Sequence, residues 1–293
     1  MNESIGQVLK ILNGNIQVLL NEKIVLCDIR GSLKKNGRVL VGDIAKLEKD
    51  ESSDKYIITN ILKRKNALIR PTLANLDQLF IVIAKKPEPD FLLVDKLIVY
   101  CEKNKIIPFL VINKKDLFSD EEIENIKFQY KGIVKEILLT NAKKGELSNL
   151  KDYLVYKLSA FAGQSAVGKS TLINAIIPRL HLETNILSLK IERGKHTTRH
   201  SEIYISDNIK LTDTPGFSML DLEMNPKDLK NYYLDMQKFA NNCEFLDCCH
   251  VNTSAKYCGV VRAVEIGEYS SERFERYCNL YNKVKQNWEK RYD

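Results

Sequence analysis

Residues 163–170 read Gly163-Gln164-Ser165-Ala166-Val167-Gly168-Lys169-Ser170 and match the GxxxxGK[ST] pattern in full. Thr171 follows directly and opens a helix predicted for residues 171–177, so it is counted with the phosphate-binding residues. Glycines in such a loop let backbone N–H groups turn inward around the β- and γ-phosphates of a nucleotide. Lys169 would supply a cation to these phosphates, and Ser170 a hydroxyl ligand for Mg²⁺. The stretch therefore predicts a nucleotide-binding α/β domain.

A second motif indicates which base is bound. Asn113-Lys114-Lys115-Asp116 matches the NKxD pattern at the end of an apolar strand predicted for residues 108–113. A carboxylate at Asp116 can accept hydrogen bonds from the ring N–H and the exocyclic amine of guanine. Adenine does not present these groups in that arrangement. Asn113 and Lys114 would support the base and the loop beneath it, and we expect GTP and GDP as ligands.

Three further segments match the remaining sequence motifs of GTPases. Thr140-Asn141-Ala142-Lys143 fits the loop whose backbone contacts the guanine oxygen, with Asn141 where that loop usually has Ser. Asp213-Thr214-Pro215-Gly216 matches DxxG, in which Asp213 reaches Mg²⁺ through water and the Gly216 amide contacts the γ-phosphate. Gly194-Lys195-His196-Thr197-Thr198-Arg199 lies where a switch segment supplies a threonine hydroxyl to Mg²⁺. We assign that hydroxyl to Thr198, with Thr197 as the alternative.

The order of these motifs differs from that of ordinary GTPases, which begin with the phosphate-binding loop. Here the guanine loop at residues 113–116 comes first, and the phosphate-binding loop at residues 163–170 follows it. A circular permutation keeps every motif at its place in space, provided that the former chain ends lay close together. It also moves the chain ends beyond the DxxG segment, so a domain attached there could respond to that switch.

The predicted fold class is multidomain α/β. Residues 1–68 contain five predicted strands, at 7–11, 16–20, 25–30, 38–44 and 56–61, which favours an oligonucleotide/oligosaccharide-binding (OB) barrel, or an SH3-like barrel. Residues 69–225 alternate strands (78–84, 108–113, 134–139 and 209–212) with helices (90–104, 120–130, 147–158 and 169–177), as a doubly wound GTPase domain would. Residues 226–293 carry helical stretches at 226–240 and 265–285 around a cysteine cluster and predict a helical, zinc-binding domain.

Composition excludes several classes of protein. Hydrophobic residues make up 44% and charged residues 28% of the chain, which is ordinary for a globular protein. No apolar run approaches the ~20 residues that cross a bilayer, and the first 20 residues carry no secretion signal. We therefore expect a cytoplasmic protein without a membrane partner. The net charge of +7 suits a polyanionic partner, although a solvated basic surface explains it equally well.

Four cysteines and a histidine crowd into residues 243–258. Cys243-x4-Cys248-x-His250-x7-Cys258 provides three thiolates and one imidazole, the donor set of a closed tetrahedral zinc site. Cys249 is the rival ligand, but adjacent side chains usually point apart, so Cys248 and His250 are the preferred pair. The alternative is a group of buried or free cysteines, because the spacing departs from the common zinc-finger pattern. We expect one structural zinc per chain, in addition to Mg²⁺ that accompanies GTP.

With these motifs placed, the chain resembles the RsgA family of circularly permuted bacterial GTPases over nearly its whole length. The resemblance rests on the permuted order, on Arg70-Pro71-x-x-Ala74-Asn75-x-Asp77-Gln78, on residues 194–199, on Asp213-Thr214-Pro215-Gly216-Phe217, and on the cysteine cluster. It implies an N-terminal OB barrel, a central GTPase and a C-terminal zinc domain. It also implies the small ribosomal subunit and its rRNA as partner and activator, and we expect a monomer. Cys258 is the least secure zinc ligand, because the family commonly has a shorter spacing before it.

The mechanism follows partly from the residues and partly from the resemblance. Phe217 stands where Ras-like proteins carry the glutamine that orients water, so slow intrinsic hydrolysis is expected. The resemblance implies His196 as the group that orients the water, although a loop histidine is more often a surface or structural residue. Lys169 is the other predicted catalytic residue, because the phosphate-loop motif places its cation on the phosphates. A GTPase for the large subunit or another RNA would share these motifs, as would a protein that binds GTP without hydrolysing it. The candidate RNA-contacting cations are Lys34, Lys35, Arg38, Lys63, Arg64, Lys65, Arg262, Arg273, Arg276, Lys283, Lys285, Lys290 and Arg291.

Overall fold

Five strands at the start of the chain close into a barrel. The computed structural model describes residues 4–12, 14–31, 38–69, 71–180, 201–212, 217 and 221–290. The barrel strands are β1 (Ser4–Leu12), β2 (Asn15–Leu20), β3 (Lys23–Ile29), β4 (Ile44–Lys49) and β5 (Tyr56–Ile61). Their closed order is β1-β2-β3-β5-β4, with β3 parallel to β5 and the other pairs antiparallel. Alternate apolar side chains such as Val18, Leu47 and Ile58 fill the interior, and the predicted OB-type barrel is confirmed.

The strand predicted for residues 38–44 is wrong, because these residues form a turn and β4 begins only at Ile44. The Asp43 backbone N–H donates to the Leu40 carbonyl at 3.2 Å, and the Leu40 N–H donates to Asp43 Oδ2 at 2.7 Å. Gly42 between them has a φ of +89°, which favours glycine. The apolar run that suggested a strand packs into the core from this turn: Val39, Leu40 and Val41 are all buried.

The central sheet has six strands. After the short pair β6 (Ala67–Leu68) and β7 (Leu73–Ala74) come β8 (Gln78–Ala84), β9 (Ile107–Asn113), β10 (Ile137–Leu139), β11 (Leu158–Ala162), β12 (Ile203–Ser206) and β13 (Ile209–Thr212). Their order is β10-β9-β8-β11-β13-β12, and β12 alone among these six runs antiparallel to its neighbour. Every residue of β8 and β11 is buried, as expected for strands covered on both faces. The predicted doubly wound α/β sheet is thereby confirmed.

In the described part of the chain, four helices cover this sheet: α1 (Phe91–Asn104), α2 (Asp120–Tyr130), α3 (Leu150–Leu154) and α4 (Lys169–Ile176). Ser119 and Glu122 form a complete capping box at the start of α2, which explains why its boundaries matched the sequence pattern. The helix predicted for residues 147–158 is shorter, because Val155 bridges to Ile209 and Tyr156 adopts a φ of +58°. Leu158 then begins β11, a strand that the sequence pattern did not reveal.

The C-terminal segment packs against α1. It consists of a 3₁₀ turn (Pro226–Tyr232), α5 (Leu234–Ala240), α6 (Gly259–Glu265) and α7 (Ser271–Glu289). One buried cluster contains Leu9 of the barrel, Leu97 of α1 and Tyr277 of α7, so the core continues through all three parts of the chain. Within the described ranges, no helix has the length and apolar character needed to cross a membrane.

A buried ion-pair network fastens α7 to α1. Arg273 contacts Asp95 Oδ1 at 2.6 Å and Asp235 Oδ2 at 2.8 Å, and Arg276 contacts Asp95 Oδ2 at 2.8 Å. Burial acts to lower the pKa of Arg273, but Asp95 and Asp235 outweigh it and hold the pKa above its ordinary value. The interpretation of Arg273 and Arg276 as RNA-contacting residues is therefore wrong. Both guanidinium groups form ion pairs with aspartates of the protein itself, and the Arg273 side chain is only 2% exposed.

Candidate nucleotide site and metal centre

Four loops meet at the carboxyl edge of the sheet. They follow β8, β9, β10 and β11, which are neighbours in the sheet order, and the last of them is the glycine-rich loop at residues 163–168. Open α/β sheets bind their ligands at this edge. The order of the strands thus brings the guanine loop, the SAK-like loop and the phosphate-binding loop together, although they are far apart in the chain.

The glycine-rich loop needs glycine at both of its ends. Gly163 has a φ of +133°, and a Cβ there would lie 2.2 Å from the Val82 carbonyl oxygen. Gly168 has a φ of +100°, and a Cβ there would lie 2.4 Å from Asn113 Nδ2. Ala166 also has a positive φ of +64°, which strains a residue with a side chain. The loop therefore holds an unusual backbone shape that its surroundings must stabilise.

Lys169 lies folded back over this loop. Its ammonium group donates to the carbonyl oxygens of Gly163 at 2.9 Å and Gln164 at 2.5 Å. These contacts keep a positive charge at the first turn of α4, which begins at Lys169, close to the backbone N–H groups at the helix start. Ser170 and Thr171 follow in the same turn of the helix.

Asn113 connects the three loops. Its side chain is buried, and Nδ2 donates to the Val167 carbonyl of the phosphate-binding loop at 2.9 Å. Its Oδ1 accepts from the Ala142 N–H at 3.1 Å and from the Thr140 hydroxyl at 3.2 Å. One amide thus holds the guanine loop, the SAK-like loop and the phosphate-binding loop in a fixed relation.

Lys114 extends this connection. It adopts a φ of +55° directly after β9, and its ammonium group donates to the Lys86 carbonyl at 2.7 Å and to the Ala166 carbonyl at 2.9 Å. The loop at residues 85–90, after β8, is therefore a fourth wall of the site. No motif indicated it, although Pro87-Glu88-Pro89 between a strand and a helix was a local signal of a loop.

Asp116 keeps a half-exposed carboxylate at the mouth of the site. Its side chain is 43% exposed, and Oδ1 accepts a 2.6 Å hydrogen bond from Asn141 Nδ2. Asn141 is buried, and its backbone pairs with Glu146 across the loop. The sequence suggested that the backbone of this loop matters more than the Asn141 side chain, but the side chain contacts the Asp116 carboxylate directly.

The described residues do not include the switch segments. His196, Thr197 and Thr198 lie outside them, and so do Asp213 and Gly216. Phe217, the residue after the DxxG pattern, is described: it is buried, and its ring meets Tyr100 edge-on at a centroid distance of 6.2 Å. This ring belongs to the core beside α1 and offers no polar group to a water molecule.

A second polar centre lies in the C-terminal segment. The ligand atoms of Cys243, Cys248, His250 and Cys258 all lie within 4.8 Å of one another. His250 Nδ1 is 3.5 Å from Cys243 Sγ and 3.4 Å from Cys258 Sγ, and these two sulfurs are 3.7 Å apart. Cys249 is not among the four, and its sulfur contacts the Asp247 carbonyl at 3.6 Å instead.

The chemistry of this donor set fits a soft divalent cation. Burial, together with Lys230, lowers the pKa of His250 to about 4, so its imidazole is neutral and able to donate a lone pair. Burial raises the pKa of Cys258 to about 12, which makes a thiolate unfavourable unless a cation is bound. Three sulfurs and one nitrogen in this arrangement could hold a metal ion with tetrahedral geometry.

Comparison with known proteins assigns the barrel and the central α/β part of the chain to the same family. The family model described as RsgA GTPase matches residues 61–223, and that described as RsgA N-terminal domain matches residues 5–57. The small ribosomal subunit biogenesis GTPase RsgA of Caldanaerobacter subterraneus is 40% identical over 291 residues, covering 98% of each chain. The protein of the same name from Halalkalibacterium halodurans is 37% identical, covering 98% of this chain and 99% of that one.

Two solved structures have the same architecture. The crystal structure of YjeQ from Thermotoga maritima superposes with a TM-score of 0.83 at 34% identity, covering 97% of this chain and 99% of that one. YloQ, described as a circularly permuted GTPase, superposes with a TM-score of 0.81 at 30% identity, covering 98% of this chain and 96% of that one. With the motif order, the fold and full-length relatives in agreement, the chain belongs to the RsgA GTPase family.

Proposed function

We propose that this protein binds GTP and hydrolyses it to GDP and phosphate on the small ribosomal subunit, during late maturation of that subunit. The observation that carries the proposal is the Asn113 side chain, whose hydrogen bonds join the guanine, SAK-like and phosphate-binding loops into one site. The partner is suggested by the full-length relatives, which are named small ribosomal subunit biogenesis GTPases.

Guanine would be recognised by Asp116. Asn141 occupies one lone pair of Asp116 Oδ1 and fixes the plane of the carboxylate, which leaves its other acceptor positions for the ring N–H and amine of guanine. The backbone of Asn141 and Ala142 would meet the guanine oxygen. Asn113 and Lys114 would support the base from below, since both already hold the phosphate-binding loop.

The phosphates would be held by backbone N–H groups of residues 163–168 and by Lys169. On binding, the Lys169 ammonium would exchange the carbonyls of Gly163 and Gln164 for phosphate oxygens. Ser170 and Thr198 would be the side-chain ligands of Mg²⁺, which neutralises phosphate charge when bound. Asp213 would reach that ion through water, and the Gly216 amide would contact the γ-phosphate.

Hydrolysis needs a group that orients water, and Phe217 has no polar atom to do so. We assign this role to His196 through the family resemblance, because a neutral imidazole can accept a proton from water near pH 7. His196 is 26 residues beyond Ser170, within the segment that leads to β12. Hydrolysis without a partner would be slow, and the ribosomal subunit would stimulate it.

Zinc is the ion that best suits Cys243, Cys248, His250 and Cys258, and its role would be structural. All four side chains would coordinate the ion, so no coordination position would be left open for a substrate. The ligands join the loop after α5 to the start of α6, which begins at Gly259. When bound, zinc would hold this part of the C-terminal segment in its folded form.

GTP would favour docking to the subunit, and hydrolysis would favour release. Contacts to rRNA would use exposed cations of the barrel and the C-terminal segment, of which Arg38, Lys63, Arg262, Lys283, Lys285 and Lys290 lie on the surface. The protein would act as a monomer.

The test is phosphate release from GTP with no addition, with purified small subunits, and with purified large subunits as the matched control. We expect slow release alone and a several-fold increase with small subunits only. Equal stimulation by large subunits would contradict the proposed partner. Absence of release under all three conditions would contradict the proposed activity.

A further inference from the structure

The side chain of Gln164 joins the phosphate-binding loop to the start of α1. Its Oε1 accepts from the Asp90 N–H at 2.9 Å, and its Nε2 donates to the Glu88 carbonyl at 3.0 Å. Both ends of the amide are engaged by backbone groups of one short segment. The side chain is therefore fixed in direction as well as in position.

Asp90 is the N-cap residue, immediately before α1. Its side chain accepts from the Leu93 N–H at 2.9 Å, as an N-cap does, so Gln164 contacts the cap residue of that helix. On the next turn of α1, Asp95 is buried and pairs with Arg273 and Arg276 of α7. One helix thus contacts the phosphate-binding loop at its start and the C-terminal segment further along.

The phosphate-binding loop requires support because three of its residues have positive φ, namely Gly163, Ala166 and Gly168. Asn113 and Lys114 support the loop at Val167 and Ala166, on the side of the guanine loop. Gln164 supports it at the other end, next to Gly163, against a helix that is itself anchored in the core. Gln164 also accepts from Lys169 through its backbone carbonyl, so its position affects the cation that would meet the phosphates.

We propose that Gln164 is a positioning residue, which braces the phosphate-binding loop against the start of α1 and thereby links nucleotide binding to the order of that helix start. The inference rests on the proposed GTP site. Because linkage between two equilibria is reciprocal, a nucleotide bound to the loop must stabilise residues 88–94 to the same extent that these residues support the nucleotide. A side chain that serves only general stability would not make the order of residues 88–94 depend on nucleotide.

The experiment measures the affinity for a fluorescent GDP analogue and, separately, amide hydrogen exchange of residues 88–94 with and without saturating GDP. The variants are Gln164→Met, which keeps the bulk of the side chain but loses both hydrogen bonds, and Gln164→Ala. The matched control is Gln237→Ala, which removes a side-chain hydrogen bond from another glutamine to the Asn231 carbonyl in the C-terminal segment.

We expect both Gln164 variants to bind GDP about fivefold more weakly, the size of one net hydrogen bond, and Gln237→Ala to bind like the wild type. In the wild type, GDP should slow exchange at residues 88–94, and in Gln164→Met this protection should disappear even at saturation. Wild-type affinity in Gln164→Met, or GDP-dependent protection that persists in it, would overturn the inference. A wild-type protein that binds no GDP would instead overturn the proposed function on which the inference rests.

Discussion

The nucleotide loops and the metal ligands are both carried on irregular backbone, but they are stabilised in different ways. At the nucleotide site, the Asn113 and Lys114 side chains donate hydrogen bonds to backbone carbonyls of neighbouring loops, so the protein itself supplies their partners. At the metal centre, three sulfurs and an imidazole face one another, and burial disfavours the thiolate of Cys258. The nucleotide loops can therefore keep their shape without a ligand, whereas the cysteine cluster would need a cation to keep its own.

Metal removal should therefore have the largest effect on local structure. Structural zinc binding is worth on the order of 10 kcal/mol and is inseparable from local folding. After chelation, residues 243–258 should lose protection from hydrogen exchange, while residues 107–116 of the nucleotide site keep theirs. Equal loss in both regions would contradict the contrast drawn between them.

Elemental analysis of single-residue variants tests which side chains bind the zinc. The purified protein should contain about one zinc per chain. Cys243→Ser, Cys248→Ser, His250→Ala and Cys258→Ser should each lower that content, and Cys249→Ser is the matched control that should not. Loss of zinc in Cys249→Ser with full zinc in Cys248→Ser would reverse the ligand assignment.

The next largest effect is expected at the ion-pair network, which holds the C-terminal segment without a metal. Arg273→Met would leave Asp95 and Asp235 buried with less compensating charge, at a cost of about 3–5 kcal/mol in the free energy of unfolding. Denaturant unfolding measures this change in the free energy of unfolding. Arg262→Met is the control, because Arg262 lies on the surface and donates only to the Ala255 carbonyl at 3.3 Å. Similar stability of the two variants would contradict the account of the network.

Asn113→Ala should have a smaller effect on stability but a clear one on nucleotide binding. It leaves the Val167 carbonyl and the Ala142 N–H without their partner, at a cost of about 2 kcal/mol, and it releases the phosphate-binding loop from the SAK-like loop. Unfolding curves and GDP titration measure the two effects. Asn149→Ala is the control, since Asn149 makes only a 3.5 Å contact with the Tyr153 hydroxyl on the surface. Unchanged GDP affinity in Asn113→Ala would show that the loops hold their shape without this amide.

Ala166→Gly should change stability least and, unlike the other variants, should not lower it. Ala166 has a φ of +64°, and glycine would relieve roughly 1 kcal/mol of strain, less the greater entropy of glycine in the unfolded chain. The thermal midpoint should rise slightly or stay level. Ala263→Gly, in the interior of α6, is the control and should lower the midpoint, because glycine destabilises a helix. A lower thermal midpoint in Ala166→Gly would contradict the conclusion that the backbone at Ala166 is strained.

The loops of the candidate nucleotide site were predictable from the sequence because each of their motifs is a short run of consecutive residues. Asn113, Lys114 and Asp116 come together with residues 163–170 once the strand order is known. The grouping of Cys243, Cys248, His250 and Cys258 was predictable because these residues lie within sixteen consecutive positions, so no long-range contact had to be inferred.

Contacts between distant parts of the chain were not predictable. Arg273 and Arg276 read as surface cations because their partner Asp95 lies 178 and 181 residues away. The apolar run at residues 39–41 read as a strand because the turn depends on the Asp43 side chain and its ion pair with Arg64. The contact between Asn141 and Asp116 was missed because it joins two loops that follow different strands.

Guanine recognition by Asp116 is tested by nucleotide selectivity, measured by competition among GTP, ATP and xanthosine triphosphate. The wild type should bind GTP far more tightly than ATP. Asp116→Asn should lose GTP affinity by about a hundredfold or more and gain affinity for xanthosine triphosphate, whose ring carbonyl replaces the guanine amine and accepts from the new amide. Equal competition by ATP and GTP in the wild type, or undiminished GTP binding in Asp116→Asn, would contradict the assignment of this site.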